Sequence, residues 1–419
     1  MLRELVLLAV QNILKRKLRS FLTLLGIIIG VAAVVSIISL TTGIQQTIIN
    51  QLTRFMSDVI TVTPGRLSFA TATLRGGRAI KLTTRDIEEI SKIEGVKLVN
   101  GLIGSNIEVE FGDETGVLYA YGIEDVDAWK EIEASSVGLE SGRYLTKEDK
   151  YSAIIGNSVA HEIFSKDVGL KKTIKLNGVD FRVVGIFKKA GGVLSMFDRR
   201  IYIPEKTARE IFPEGIEENE YSLITAKVEE GYDVEEVADR INEKLLKLHH
   251  QTEETKTFTV LTSKFFQTLV SNILSSLTTF LTAIASVSLL VGGIGIMNIM
   301  YVSVMERTRE IGVMKAIGAT NRTILLLFLL ESGIFGLFGG IIGDVFGVGV
   351  GYVINYIANL LRTQTLQQME TETILTQFVI EPQTLFVGAI FGFLVGIIAG
   401  YFPARKASKL QPVEALRYE

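Results

Sequence analysis

Four stretches of this chain are apolar, almost free of charge and as long as a lipid bilayer is thick. Ser20 to Thr42, Ile273 to Met305 and Gln383 to Pro403 contain no Asp, Glu, Lys or Arg, and Thr323 to Leu361 contains only Glu331 and Asp344. A helix crosses the roughly 30 Å hydrocarbon layer in about 20 residues. Because lipid offers no hydrogen bonds, a spanning segment has to satisfy its own backbone, which makes each of these a helix. Four spans return the C-terminus to the side of the N-terminus.

Lysine and arginine set the orientation, since they collect on the cytoplasmic side of short flanks. Arg3, Lys15, Arg16, Lys17 and Arg19 precede the first span. Arg307, Arg309, Lys315 and Arg322 lie between the second and third, and Arg405, Lys406, Lys409 and Arg417 follow the fourth. All three clusters fall on one side, so both termini are expected in the cytoplasm and the protein in the cytoplasmic membrane. The first apolar run exceeds the length of a secretory signal's core and reads as an uncleaved anchor.

The expected organisation is an α-helical membrane protein with a large α+β extracytoplasmic domain inserted between the first and second spans. Residues 1–19 read as an amphipathic helix at the inner lipid interface or equally as a topogenic leader, followed by spans at 20–42, 273–305, 323–361 and 383–403. The inserted domain covers 43–272 as one lobe or two. A polar cytoplasmic loop occupies 306–322, a short outer loop 362–382 and a cytoplasmic tail 404–419.

Local signals mark elements inside the inserted domain. Thr83 with Asp86 three residues on is a capping pair opening a helix that closes near Gly95. IEVEFGDETGVLYAYGI reads as one hairpin. TIKLNGVDFRVVGIF reads as another, with Asn177 and Gly178 at a type I′ tip. Glu235 to Leu248 reads as a further helix.

Catalytic chemistry finds no support. The net charge of -3 gives no basic field for nucleic acid, and the absence of cysteine excludes disulfides and thiolate chemistry. The three histidines, His161, His249 and His250, lack the spacing of a zinc site. The chain contains no GxSxG, HExxH or Walker A motif. Glu124, Asp125 and Asp127 read as a solvated acidic loop, and Gly191 and Gly192 as a flexible one.

The later spans carry a packing signal. Gly339, Gly343, Gly347 and Gly351 recur every fourth residue, as do Gly388, Gly392, Gly396 and Gly400. That spacing keeps glycines on one helix face and lets another helix approach closely, so the third and fourth spans are expected to pack on each other or on a symmetry mate. Asp344, the acid deep in the third apolar run, is read as interfacial. It emerges near the outer surface if the span starts at Thr323 and lies mid-membrane if it starts near Glu331.

The second span then becomes charged abruptly, in ERTREIGVMKAIGA. This reads as a short polar helix ended by Gly318, suited either to dock in a groove of a soluble partner or to serve as a solvated connector. GGIGIMNIMYVSVMERTREIGVMKAIGA closely resembles the corresponding segment of the MacB-type permeases, within the wider FtsX-like family of ABC transporter permeases. The tail FPARKASKLQPVEALRYE is similar as well, and GNSVAHEIF, LKKTIKLNGVDFRVVGIF and IYIPEKTAREIF resemble that family's extracytoplasmic core domain.

The resemblance implies a homodimer of four-span subunits with two copies of an ABC ATPase below. ATP and Mg would be held on the ATPase and no cofactor or metal on this chain, which begins directly with the amphipathic helix where the MacB exporter carries a fused ATPase. By position, the family's ATPase-coupling helix comprises Glu306, Arg307, Thr308, Arg309, Glu310, Ile311, Gly312, Met314 and Lys315. The implied mechanism is mechanotransmission: ATP-driven closure below is relayed by the spans to the outer domains, exporting or extracting a substrate at the outer face, with an extracytoplasmic adaptor as a further partner. The alternative within the family is a regulatory signalling module that controls an outer partner without transport.

Overall fold

The computed structural model describes residues 17–68, 73–75, 80–134, 137–212, 217–365 and 381–416. The amphipathic helix expected at the N-terminus and most of the 362–382 loop lie outside them. The chain divides into two compact units, one at Thr47–Ser271 and one formed by the helical segments before and after it.

Helix α1 runs Lys17–Met56, well past the end of its apolar stretch. Beyond it lies a ten-stranded mixed sheet: β1 Val59–Pro64, β2 Val96–Phe111, β3 Glu114–Ile123, β4 Leu139–Gly142, β5 Ser152–Ile155, β6 Thr173–Leu176, β7 Val179–Phe187, β8 Arg200–Pro204, β9 Leu223–Val228 and β10 Phe258–Leu261. Its order is β10-β1-β9-β2-β3-β8-β5-β7-β4, with β6 paired to β7 and β2. The β3–β8 and β5–β7 pairs are parallel and the others antiparallel. One continuous sheet runs through the inserted domain.

Turn chemistry sets the two expected hairpins. Phe111 pairs with Glu114 across Gly112, whose φ is 65°. Leu176 pairs with Val179 across Asn177 and Gly178, at φ 46° and 81°, as a type I′ turn requires. Asn177 is further held where its Oδ1 accepts from the Glu108 amide at 2.8 Å and its Nδ2 donates to the Ile211 carbonyl at 2.7 Å.

Helix α2, Thr84–Ser91, begins at the expected cap. Asp86 Oδ2 accepts from the Thr83 amide at 2.8 Å, while its Oδ1 lies 2.7 Å from His249 Nε2 at the end of the Val234–Leu248 helix. The acidic loop is ordered: Asp125 caps a short helix α3, Val126–Trp129, and Asp127 pairs with Lys147. At the Gly191–Gly192 loop, the buried Asp198 carboxylate accepts from the Ala190 and Gly191 amides at 2.8 and 2.9 Å. The main core is mostly aliphatic with a few aromatic rings, Ile60, Ile103, Phe181 and Phe258 being fully buried, and a second cluster surrounds Trp129, Phe187 and Tyr202.

In the helical unit, α4 (Ser263–Glu306), α5 (Thr308–Ala316), α6 (Asn321–Thr365), α7 (Pro382–Ser408) and α8 (Pro412–Leu416) complete the chain. Together with α1, helices α4, α6 and α7 are long and apolar enough to cross a membrane. They meet at glycines. A methyl group on Gly26 of α1 would lie 2.8 Å from Gly292 Cα of α4, and one on Gly336 of α6 would lie 2.1 Å from the Gly392 carbonyl of α7.

The two glycine ladders do not face each other. Gly339, Gly343 and Gly347 lie against Ile27, Val31 and Ala32 of α1, whereas Gly388, Gly392, Gly396 and Gly400 receive Asp344, Gly340, Gly336 and Ser332 of α6. Gly351 is buried. A four-residue period selects a helix face, but at 3.6 residues per turn a neighbouring row serves a second helix equally well. Helix α6 uses both rows.

Candidate functional site

The charged segment after α4 folds against the ends of its neighbours. Arg307 leaves helical geometry (φ -102°, ψ 15°), and α5 starts at Thr308, whose hydroxyl donates back to the Met305 carbonyl at 2.8 Å. Arg307 Nε donates to Glu310 Oε2 at 2.9 Å, and its Nη1 to Glu331 Oε2 at 3.3 Å. This bond ties the corner to α6.

The far end of α5 closes as a Schellman turn. The Gly318 amide donates to the Lys315 carbonyl at 3.1 Å and the Ala319 amide to the Met314 carbonyl at 2.9 Å. Gly318 sits at φ 106°, a conformation that glycine adopts without strain. Lys315 reaches across to the end of α7, its Nζ donating to the carbonyls of Ser408 and Leu410 at 2.6 and 2.7 Å. A cation on carbonyls that lack helical partners favours a helix C-terminus. Burial lowers the pKa of that ammonium below the ordinary lysine value.

These contacts sort the nine residues predicted for this segment. Thr308, Ile311 and Gly312 are buried, Met314 packs against the helical core, and Arg307 and Lys315 fasten the segment to α6 and α7. Arg309, Glu310 and Glu306 face outward. The outward face also carries Val313 and Ile317, 47% and 81% exposed, and α8, which packs on α5, adds Val413 at 74%. The sequence reading passed over these three. Their signal was the i, i+4 pair Val313–Ile317, on the side of the helix away from Thr308 and Ile311. An exposed apolar patch with Arg309 at its edge has the character of an interaction surface.

Asp344 is buried at 7% exposure against Gly388, and its Oδ1 has no hydrogen-bond partner among the described residues. The Arg307–Glu331 pair sets Glu331 level with the end of the second span. At 1.5 Å per residue, Asp344 lies about 20 Å further along α6.

Residues 20–244 match the family model of the MacB-like periplasmic core domain, and residues 263–412 match that of the FtsX-like permease C-terminal region. An uncharacterized ABC transporter permease of Methanocaldococcus jannaschii is 35% identical over 99% of this chain and 98% of its own length. The macrolide export ATP-binding/permease protein MacB of Bdellovibrio bacteriovorus is 34% identical over 98% of this chain, which spans 61% of that protein. The crystal structure of the periplasmic region of MacB from Actinobacillus actinomycetemcomitans covers 54% of this chain and 98% of that one at 21% identity, with a TM-score of 0.43.

Proposed function

Because this chain belongs to the FtsX-like family of ABC transporter permeases with a MacB-like core domain, we propose that it works by mechanotransmission, with α5 as the helix that docks a separate ABC ATPase. The outward face of Arg309, Val313 and Ile317 carries this reading, because it is held on a helix fastened to α6 by Arg307 and to α7 by Lys315. A push on that face reaches two spanning helices through hydrogen bonds rather than through a slack loop.

The packing of the spans supports levers over a channel. Gly26 on Gly292 and Gly336 on Gly392 bring backbones into contact, and close helix packing of this kind transmits displacement as rigid motion. A second copy of the chain and two ATPase subunits complete the assembly, with ATP and Mg held on the ATPase. Both termini lie in the cytoplasm and the inserted domain faces outward from the cytoplasmic membrane, where the substrate is exported or extracted with the help of an adaptor.

The test is purification of the full-length protein from its native membrane in mild detergent, with identification of what accompanies it. A nucleotide-binding subunit that co-purifies and hydrolyses ATP is the expected result. Its absence at every nucleotide condition overturns the reading and turns attention to Asp344.

A further inference from the structure

The inserted domain contains two adjoining pockets that no part of the coupling mechanism uses. The inner one, about 360 Å³ in volume, is walled mainly by apolar side chains such as Leu52, Phe187, Leu223 and Phe266, with Asp198 also in its lining, its carboxylate held by the Ala190 and Gly191 amides. The outer one, about 350 Å³, is lined by Val117, Leu118, Tyr119, Tyr121, Met196, Arg199 and Arg200. Tyr121, Met196 and Arg200 belong to both, so the two meet at these side chains. The volume of the inner pocket is within the range of small-molecule sites, and its lining is as apolar as theirs. An apolar cavity of this size gains nothing from water.

The outer pocket has the opposite character. Two consecutive arginines line it and no carboxylate does. The Arg200 guanidinium is held over the rings of Phe197 and Tyr121, at 4.0 and 5.1 Å from their centroids. Met196 belongs to the segment from Ala190 to Asp198, which lines the inner pocket and is closed on itself by the Asp198 carboxylate. Met196 in that wall is 59% exposed, so an apolar side chain faces solvent at the junction, beside the arginines.

We infer that this pair of pockets binds an anionic amphiphile with a single apolar chain, the chain in the inner cavity and the carboxylate or phosphate head at Arg199 and Arg200. An apolar tail recovers burial that the cavity leaves unused, and guanidinium groups pair with carboxylate or phosphate oxygens at two points. A neutral head would form no charge-assisted bond with the guanidinium groups, and a free inorganic anion would leave the cavity unfilled. The inference does not rest on the transport reading, because binding is a property of this chain alone.

Trp129 is the only tryptophan in the chain and lines the inner cavity, so its fluorescence reports on the site directly. The full-length protein in amphipol is titrated with 12-bromododecanoic acid, whose terminal bromine quenches indole on contact. The neutral 12-bromododecanol is the comparison, and dodecyl phosphate the competitor that separates carboxylate from phosphate heads. Saturable quenching at one site is expected, with the acid binding about tenfold tighter than the alcohol, the size of one charge-assisted hydrogen bond.

Arg199→Gln should reduce that preference several-fold without disturbing the stacked Arg200. Thr225→Phe, which projects a ring into the cavity, should abolish quenching, and Leu223→Phe gives an independent block should the first variant fail to fold. Equal binding of acid and alcohol in the wild type, or quenching that survives a folded cavity-filling variant, overturns the assignment.

Discussion

Lys315 donates to the Ser408 carbonyl at 2.6 Å, so the polar segment after the second span closes the C-terminal end of the fourth. The same ammonium also serves Leu410. Replacing it with methionine keeps the apolar stem and strips both carbonyls of their donor, at a cost of about 1–3 kcal/mol for buried groups left unpaired. Lys315→Met should lower the thermal midpoint of the detergent-solubilised protein and weaken ATPase coupling together. An unchanged midpoint would place the contact outside the stabilising set.

Gly388 and Asp344 make one of the two closest contacts of the glycine ladders, since a methyl group on Gly388 would lie 2.0 Å from Asp344 Oδ1, as one on Gly400 would from Ser332 Oγ. Gly388→Val should therefore cost about 1–3 kcal/mol by overpacking. Gly349 has nothing within 4 Å on the same helix as Asp344. Gly349→Ala should be neutral or slightly stabilising, because alanine is the better helix former. Comparing thermal unfolding of the two variants separates packing from composition.

Much of the architecture was legible because local chemistry dictates it. Asn177–Gly178 supplies the positive φ angles of its turn, Thr83 and Asp86 supply a cap, and Gly318 ends α5 where the chain must turn left-handed. The spanning helices α1 and α4 continue past their apolar runs, to Met56 and back to Ser263, as the resemblance to the MacB-type permeases implies for the first two spans. Two features escaped. The partner of the Gly339 ladder is α1 rather than α7, since periodicity selects a face and not its neighbour. The cavity around Trp129 draws on residues from Ile48 to Val270, brought together by strand pairings that no local pattern encodes.

The Arg143 guanidinium beside Asp149, with contacts of 2.7 and 2.8 Å, holds that carboxyl well below the usual aspartate range. A carboxylate with a depressed folded-state pKa contributes stability that is present above its unfolded value of about 3.9. That stability is lost as pH falls through the folded value. Denaturant unfolding of the wild type should weaken below about pH 4. Asp149→Asn should be less stable at pH 7 and should show a shallower decline on acidification. A parallel pH dependence in both proteins would show that the pair does not contribute.

The buried Asp86 joins the cap of α2 to His249. Asp86→Ala removes the cap and leaves the imidazole without its acceptor, which should cost about 2 kcal/mol. Asp86→Asn keeps an acceptor for the Thr83 amide and should recover part of the loss. Equal destabilisation by both substitutions would mean that the charge, rather than the cap, carries the contribution.

The docking of an ATPase on α5 is tested most directly by its hydrolysis rate when assembled with this protein, measured for the wild type and for Arg309→Glu, Val313→Glu and Ile317→Glu. These side chains face outward, so the substitutions should leave membrane insertion and thermal stability within about 0.5 kcal/mol of the wild type. The wild type is expected to change the hydrolysis rate of the partner, and each variant to lose that effect along with co-purification of the ATPase. Variants that bind and regulate the ATPase as the wild type does would contradict it.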